Sequence, residues 1–293
     1  MCYASFIQWC GFVIPEILPD SSRMAGSDAD LEFRKEITYY TQTRIGNSRD
    51  IFLLLCNSIS ESVSENVTLL DGTVNVDLLS KCNNATEFLE IVKESCAKFA
   101  NKVIVRPILG INSENENNLP LANILLESGA FGGIELYGRA FVENPEKFLS
   151  IFNTARRLNI DSRICCLGFR DFADRETIVE IIQNLKPTVI LNPNIAICDE
   201  SLAIFKNGKI LPEVYSFLRD NNIRAEFSPA PLLSGRCADE KTHAIREFAE
   251  KGLPFSLCTE DMLFLNKSLS EFAADLCNAG VFSQEELVSL IQN

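Results

Sequence analysis

Histidine is almost missing from this chain: a single imidazole, His243, serves all 293 residues. That scarcity excludes a centre in which several histidines grip a cation. Basic residues are also short, 27 Lys and Arg against 40 Asp and Glu, for a formal charge of −13. Nucleic acid is bound by neutralising its phosphates with cationic groups, and no Lys/Arg run makes a local exception, so neither nucleic acid nor an anionic membrane surface is an expected partner. The apolar N-terminus, residues 1–18, lacks a basic flank and is interrupted by Pro15 and Glu16. That pattern argues against a signal peptide or membrane anchor, and the expectation is a soluble, cytoplasmic protein. Without a secretory route, the Asn-x-Ser/Thr triplets at Asn66, Asn84 and Asn266 read as chance matches.

Cysteine is plentiful, but its metal-binding and redox spacings are absent. None of the 11 cysteines forms a C-x-x-C pair, several lie inside apolar runs (Cys56, Cys96, Cys258), and the adjacent Cys165 and Cys166 do not make a metal knuckle. The reading is buried, reduced thiols. No low-complexity linker divides the chain, so residues 1–293 are expected to form one domain. Ser21–Asp30 and Ser113–Asn118 are polar loops within it.

What is present is a repeated alternation. Apolar, strand-like runs occur near Ser5–Trp9, Val67–Val76, Val103–Leu109, Gly132–Leu136, Arg163–Leu167, Thr188–Leu191, Ile223–Phe227 and Pro254–Cys258. Between and after them, helical spacing of apolar residues marks Ile51–Ser64, Thr86–Ala100, Asn144–Leu158, Asp174–Leu185, Leu211–Asn221, Thr242–Lys251, Leu269–Cys277 and Ser283–Gln292. Asn84 or Thr86, Asn144 with Pro145, and Ser283 with Glu286 supply helix-start signals. Strands alternating with helices imply a parallel sheet, and eight of them imply an α/β fold of the single (β/α)8 TIM-barrel type. An open doubly wound sheet is the other solution, but its G-x-G-x-x-G fingerprint is missing. Chemistry in a barrel sits where strands end. The positions to inspect are Gln8–Gly11, Asp71, Gly110–Asn112, Tyr137–Arg139, Cys166–Phe169, Asn192–Asn194, Ser228–Pro231 and Thr259–Asp261.

Five segments in order carry a resemblance. GFVIPEIL (Gly11–Leu18) resembles the stretch after an H-x-H-L-x-G motif. GIELYGRA (Gly133–Ala140) resembles G-[IF]-D-L-A-G-x-E, and AEFSPAPLLSG (Ala225–Gly235) resembles E-x-C-P-x-S-N-x-x-x-G. SLCTED with SLSEF (Ser256–Phe272) is similar to [SN]-x-[NS]-[ST]-D-D-P followed by T-L-x-x-E-[YF]. The closing FSQEELVSLIQN is similar to G-[LF]-[ST]-x-x-[ED]-L-x-x-L-x-x-N. Together these resemble the adenosine deaminase family of metal-dependent amidohydrolases, along nearly the whole chain.

The resemblance implies a zinc ion held by the H-x-H pair, a further histidine and an aspartate, with a glutamate for the purine proton and a second histidine to orient water. In this chain the metal positions fall on Phe6, Gln8, Cys166 and Glu260, the glutamate on Phe169 and the water-orienting histidine on Asn192. Gly138, whose counterpart binds the purine through its backbone, and Asp261, the second acid of the D-D pair, persist. His243 matches a non-ligand histidine, for which capping or surface exposure is the plain reading.

Bound zinc lowers the pKa of water from about 15.7 to about 7, on the order of 12 kcal/mol of activation. Loss of the glutamate removes a further factor of roughly 10² to 10⁴. The expectation is therefore a catalytically inactive, adenosine-deaminase-like protein that needs no cofactor. It retains a role in binding a purine nucleoside-like molecule or a protein partner, with Gly138, Asp261, Glu260 and Asn192 as ligand-binding candidates.

The alternative is an active purine deaminase or related amidohydrolase with a metal site rebuilt from Cys166 and Glu260, with Cys10 or Cys258 adding thiolates. Cys166 as a nucleophile lacks a base. Glu260 and Asp261 as an acid/base pair point to opposite faces of a strand. Tyr137 at its rim position is read as a plug in the old pocket. Arg139 is read as a partner for Glu260 or a ligand phosphate, or as a rim salt bridge.

Overall fold

Seven of the eight apolar runs become parallel strands in a computed structural model, which describes residues 45–165, 175–191, 193, 205–206, 209–210, 212–228, 245–258 and 268–292. They are β1 (Leu69–Asn75), β2 (Ile104–Asn112), β3 (Gly133–Tyr137), β4 (Asp161–Cys165), β5 (Val189–Leu191), β8 (Arg224–Phe227) and β9 (Phe255–Leu257). The sheet order is β1-β2-β3-β4-β5-β8-β9. Every neighbouring pair is parallel. A two-residue antiparallel pair, β6 (Phe205–Lys206) and β7 (Lys209–Ile210), lies apart from it. The run Ser5–Trp9 lies outside the described residues, as do Gln8, Cys10, Cys166, Phe169, Asn192, His243, Glu260 and Asp261. Where an eight-stranded closed barrel was expected, the described residues form an open, TIM-barrel-like α/β sheet of seven parallel strands, in which β1 and β9 are the edges.

The helices are α1 (Ser48–Ser64), α2 (Ala85–Ala97), α3 (Leu119–Glu127), α4 (Ala140–Glu143), α5 (Leu149–Leu158), α6 (Arg175–Leu185), α7 (Pro212–Asp220), α8 (Leu269–Asn278) and α9 (Gln284–Gln292), with residues 245–250 also helical. Asn84 caps α2 by accepting from the Glu87 amide. Ser283 and Glu286 exchange the reciprocal bonds of a capping box at the start of α9. Asn144 makes no side-chain cap; Pro145 instead opens a short 3₁₀ turn that leads into α5. Helix α3 lies in no expected segment, because LPLANILL is apolar almost throughout and shows no periodicity. Among the described residues no helix is long and apolar enough to cross a membrane.

Alternation along the strands divides the molecule into two layers. Val74, Leu109, Leu136, Ile164, Ile190 and Phe227 face the helices and are buried in one core with Phe88, Phe152, Ile181 and Leu218. Phe227 anchors that layer near the C-terminal end of the sheet. It is fully buried, and its ring meets Phe248 edge-on at 5.3 Å and Phe255 at 6.1 Å. Replacing Phe227 with alanine opens a cavity between the two remaining rings and is expected to cost about 3–5 kcal/mol, read as a lowered urea midpoint with an unchanged slope.

Candidate functional site

The residues between those core positions face the other way, into the hollow of the sheet, and they are mostly polar. A cavity of about 920 Å³ is lined by Asp71, Glu135, Arg163, Cys165, Glu226 and Cys258, among others. It also reaches the helix-facing side of β1 at Leu70 and Val74, and Leu269 at the start of α8.

Across the lower half of this hollow runs an ion cluster that the apolar reading of the strands did not anticipate. Asp71, expected at a strand end, is instead the third residue of β1. Its carboxylate accepts from Arg106 Nε at 2.8 Å and Nη2 at 2.6 Å, and also from Arg163 Nη2. Arg163 Nη1 donates to Glu226 at 3.1 Å, and Arg224 Nη2 donates to the same carboxylate at 3.0 Å. Asp161 accepts from Arg106 at 2.9 Å.

Burial pushes the Asp71 carboxyl up, but the hydrogen bonds and charges of Arg106 and Arg163 outweigh it and hold it below the ordinary carboxylate range. Burial likewise disfavours the charge on Arg163, and Glu226, Asp71 and Glu135 more than restore it. Arg163 Nε and Arg224 Nε are buried and have no hydrogen-bond partner among the described residues. A signal for this cluster exists in the sequence: charged residues alternate with apolar ones in LLDGTV, IVRPIL, GIELY, DSRIC and IRAEF.

At the strand tips the chain builds a different surface, of amides and hydroxyls with the acids Asp77 and Glu114 at its edge. Asn75 Nδ2 donates to the Tyr137 hydroxyl, and Asn75 Oδ1 accepts from the Asp77 amide at 2.8 Å. Tyr137 packs on Cys165, Val189 and Leu191 and lines the cavity. Burial raises its phenol above the ordinary range, and Asp77, Glu135 and Cys165 add to the effect, so it stays neutral. Gly138 follows with φ +96°, a conformation that favours glycine. A Cβ there would lie 2.6 Å from Ser113 Oγ and 2.9 Å from Asn112 Oδ1. The next turn is pinned by Glu114, whose Oε1 accepts from the Arg139 amide at 2.7 Å and the Ala140 amide at 3.2 Å.

Of the positions that the resemblance assigns to metal, proton transfer or ligand, Gly138 lies among the described residues; Phe6, Gln8, Cys166, Phe169, Asn192, Glu260 and Asp261 lie outside them. On β4 it is Cys165 that shares the inner face with Arg163 and Glu135, a position passed over in favour of its neighbour. Cys258 lines the same cavity.

Zinc does not fit this donor set. One histidine exists in the whole chain, and among the described residues no group of three or more His, Cys, Asp and Glu is placed to hold a metal ion. The inner carboxylates of Asp71 and Glu226 are already engaged by guanidinium groups. Burial pushes the thiols of Cys82 and Cys96 up as well, which makes them poor thiolate ligands or nucleophiles.

No family model matches the chain. A protein of Treponema pallidum (strain Nichols), named provisionally as an adenosine/adenine deaminase, is 24% identical over 297 residues, spanning 99% of this chain and 92% of that one. The crystal structure of adenine deaminase from Arthrobacter aurescens aligns with a TM-score of 0.75 at 15% identity, covering 99% of this chain and 86% of that chain. Arabidopsis ADAL complexed with GMP aligns with a TM-score of 0.72 at 17% identity, covering 98% and 83%. At these identities the solved structures establish a shared fold.

The turn at Gly138 can be tested without a ligand. Gly138→Ala is expected to lose about 1–3 kcal/mol in chemical denaturation, whereas Gly72→Ala, with open space at its Cβ, is expected to be neutral or stabilising by up to about 1 kcal/mol.

Proposed function

We propose that this divergent relative of the adenine- and AMP-deaminase-like amidohydrolases binds a purine nucleoside at its strand tips and does not deaminate it. The observation that carries this reading is Gly138. The glycine and its left-handed turn are kept at the tip of β3, where the resemblance puts a backbone contact to purine. The positions that would hold zinc or move protons carry Phe6, Gln8, Cys166, Phe169, Asn192 and Glu260. In this reading Gly138, Asn192, Glu260 and Asp261 contact the ligand.

The charge around those positions favours an uncharged ligand over a phosphorylated one. Asp77 and Glu114 flank Tyr137 and Gly138, and Glu260 and Asp261 add two acids. A phosphate dianion needs basic partners. Arabidopsis ADAL was crystallised with GMP; this chain takes the nucleoside.

The same reading makes residues 1–293 one domain of the (β/α)8-barrel type, a reading that the seven-stranded parallel sheet supports.

Purified protein incubated with adenosine, adenine and AMP is expected to release no ammonia above the buffer rate. Adenosine is expected to raise the melting temperature by several degrees, since a hundredfold excess over Kd adds about 2.7 kcal/mol, and GMP is expected to raise it less. Steady conversion of any of the three substrates would revive the enzyme. No thermal response to any purine would remove the binding role.

A further inference from the structure

We propose that Arg163 is an internal strut that holds the sheet curled, and that Asp71 is its acid-sensitive latch. Arg163 sits on β4, yet its guanidinium bonds Asp71 on β1 and Glu226 on β8. Strands β1 and β4 are three places apart in the sheet, and β4 and β8 are two. In a flat sheet the β1 and β4 backbones would stand about 14 Å apart with parallel side chains, and the two residues could not meet. The contact therefore requires the curl, and in turn ties it across the hollow.

The strut is well shielded, with side-chain exposure of 3% at Arg163, 8% at Glu226 and 19% at Asp71. Ion pairs in such surroundings are little screened by salt. The groups facing Asp71 are Arg106 from β2, Glu135 from β3, Asp161 and Arg163 from β4, and Arg224 and Glu226 from β8; Glu61 of α1 and Glu65 just after it line the same cavity. Asp71 hydrogen-bonds both Arg106 and Arg163 through one carboxylate, whereas Asp161 bonds Arg106 and stands 3.7 Å from Arg163. Protonating it leaves two guanidiniums facing each other with one fewer counter-charge, so the latch fails from that residue.

The sign follows from the direction of the shift. The Asp71 carboxyl is held below its unfolded value, about 3.9. Its contribution is complete above that pH and is lost as the pH falls through the lower, folded value.

Thermal melts of the full chain and of Asp71→Asn between pH 7 and pH 3 test the latch. At pH 7 the variant is expected to melt about 10 °C lower, and the gap is expected to narrow steadily as the pH falls from about 5 to about 3. A gap that stays constant, or no gap at pH 7, overturns the proposal. If the variant does not fold, hydrogen exchange on the unaltered protein decides. Amides of β1 and β8 are expected to exchange about threefold faster at pH 3.5 than at pH 5.5 once the intrinsic pH effect is removed. Unchanged protection in those strands overturns the proposal equally.

Discussion

A guanidinium withdrawn from water must be paired, and the geometry of that pairing organises this molecule. Desolvating one ion costs several kcal/mol even after relaxation, a cost offset only when its hydrogen bonds are well formed. Arg163 satisfies the condition by reaching two carboxylates on two other strands, and Arg106 and Arg224 complete their coordination. Barrels of this type commonly fill their interior with branched aliphatic side chains. Here Ile108, Val189 and Leu191 supply part of that filling, and Asp71, Glu135, Arg163 and Glu226 replace the rest with charge.

The cluster also divides the hollow into two regions. Towards the strand starts, carboxylates and guanidiniums saturate each other, which leaves no acid at Asp71 or Glu226 to attract a cation. Towards the strand ends, the surface is made of amides, hydroxyls, thiols and backbone: Asn75, Asn112, Ser113, Tyr137, Gly138, Cys165 and Cys258. Conserving folding energy at one end and presenting ligand groups at the other is the usual division of a β/α barrel. Tyr137 stands at the junction, its ring against Cys165 and Leu191 and its hydroxyl bonded to Asn75.

Much of the fold was legible in the sequence. The apolar runs placed β1 to β5, β8 and β9 in order, because strands covered by helices bury their outward positions in short continuous stretches. The Asn84 and Ser283 caps were legible because their bonds are local. Helix α3 was not, since an evenly apolar segment has no period to read. The ion cluster was missed for a subtler reason. Treating Val67–Val76 and Arg163–Leu167 as apolar runs averaged over the alternate positions that point inward, and so Asp71 was taken for a strand end and Cys165 was overlooked beside Cys166. Of the site itself, Gly138 was found through the resemblance, and its positive φ and crowded Cβ supply the physical reason for glycine there. The counterparts of the zinc ligands are legible only as residue types, and of these Phe6 and Gln8 are unsuited to the ion, while Cys166 and Glu260 are too few to hold it by themselves.

The central claim is that charge fixed in the chain, rather than a bound cation, organises the interior. Equilibrium dialysis against micromolar zinc, with metal content and melting temperature measured before and after chelation, tests it most directly. The account predicts well under a tenth of an equivalent of zinc and the same melting temperature on both sides of the chelation step. One equivalent of tightly held zinc whose removal lowers the melting temperature would contradict it.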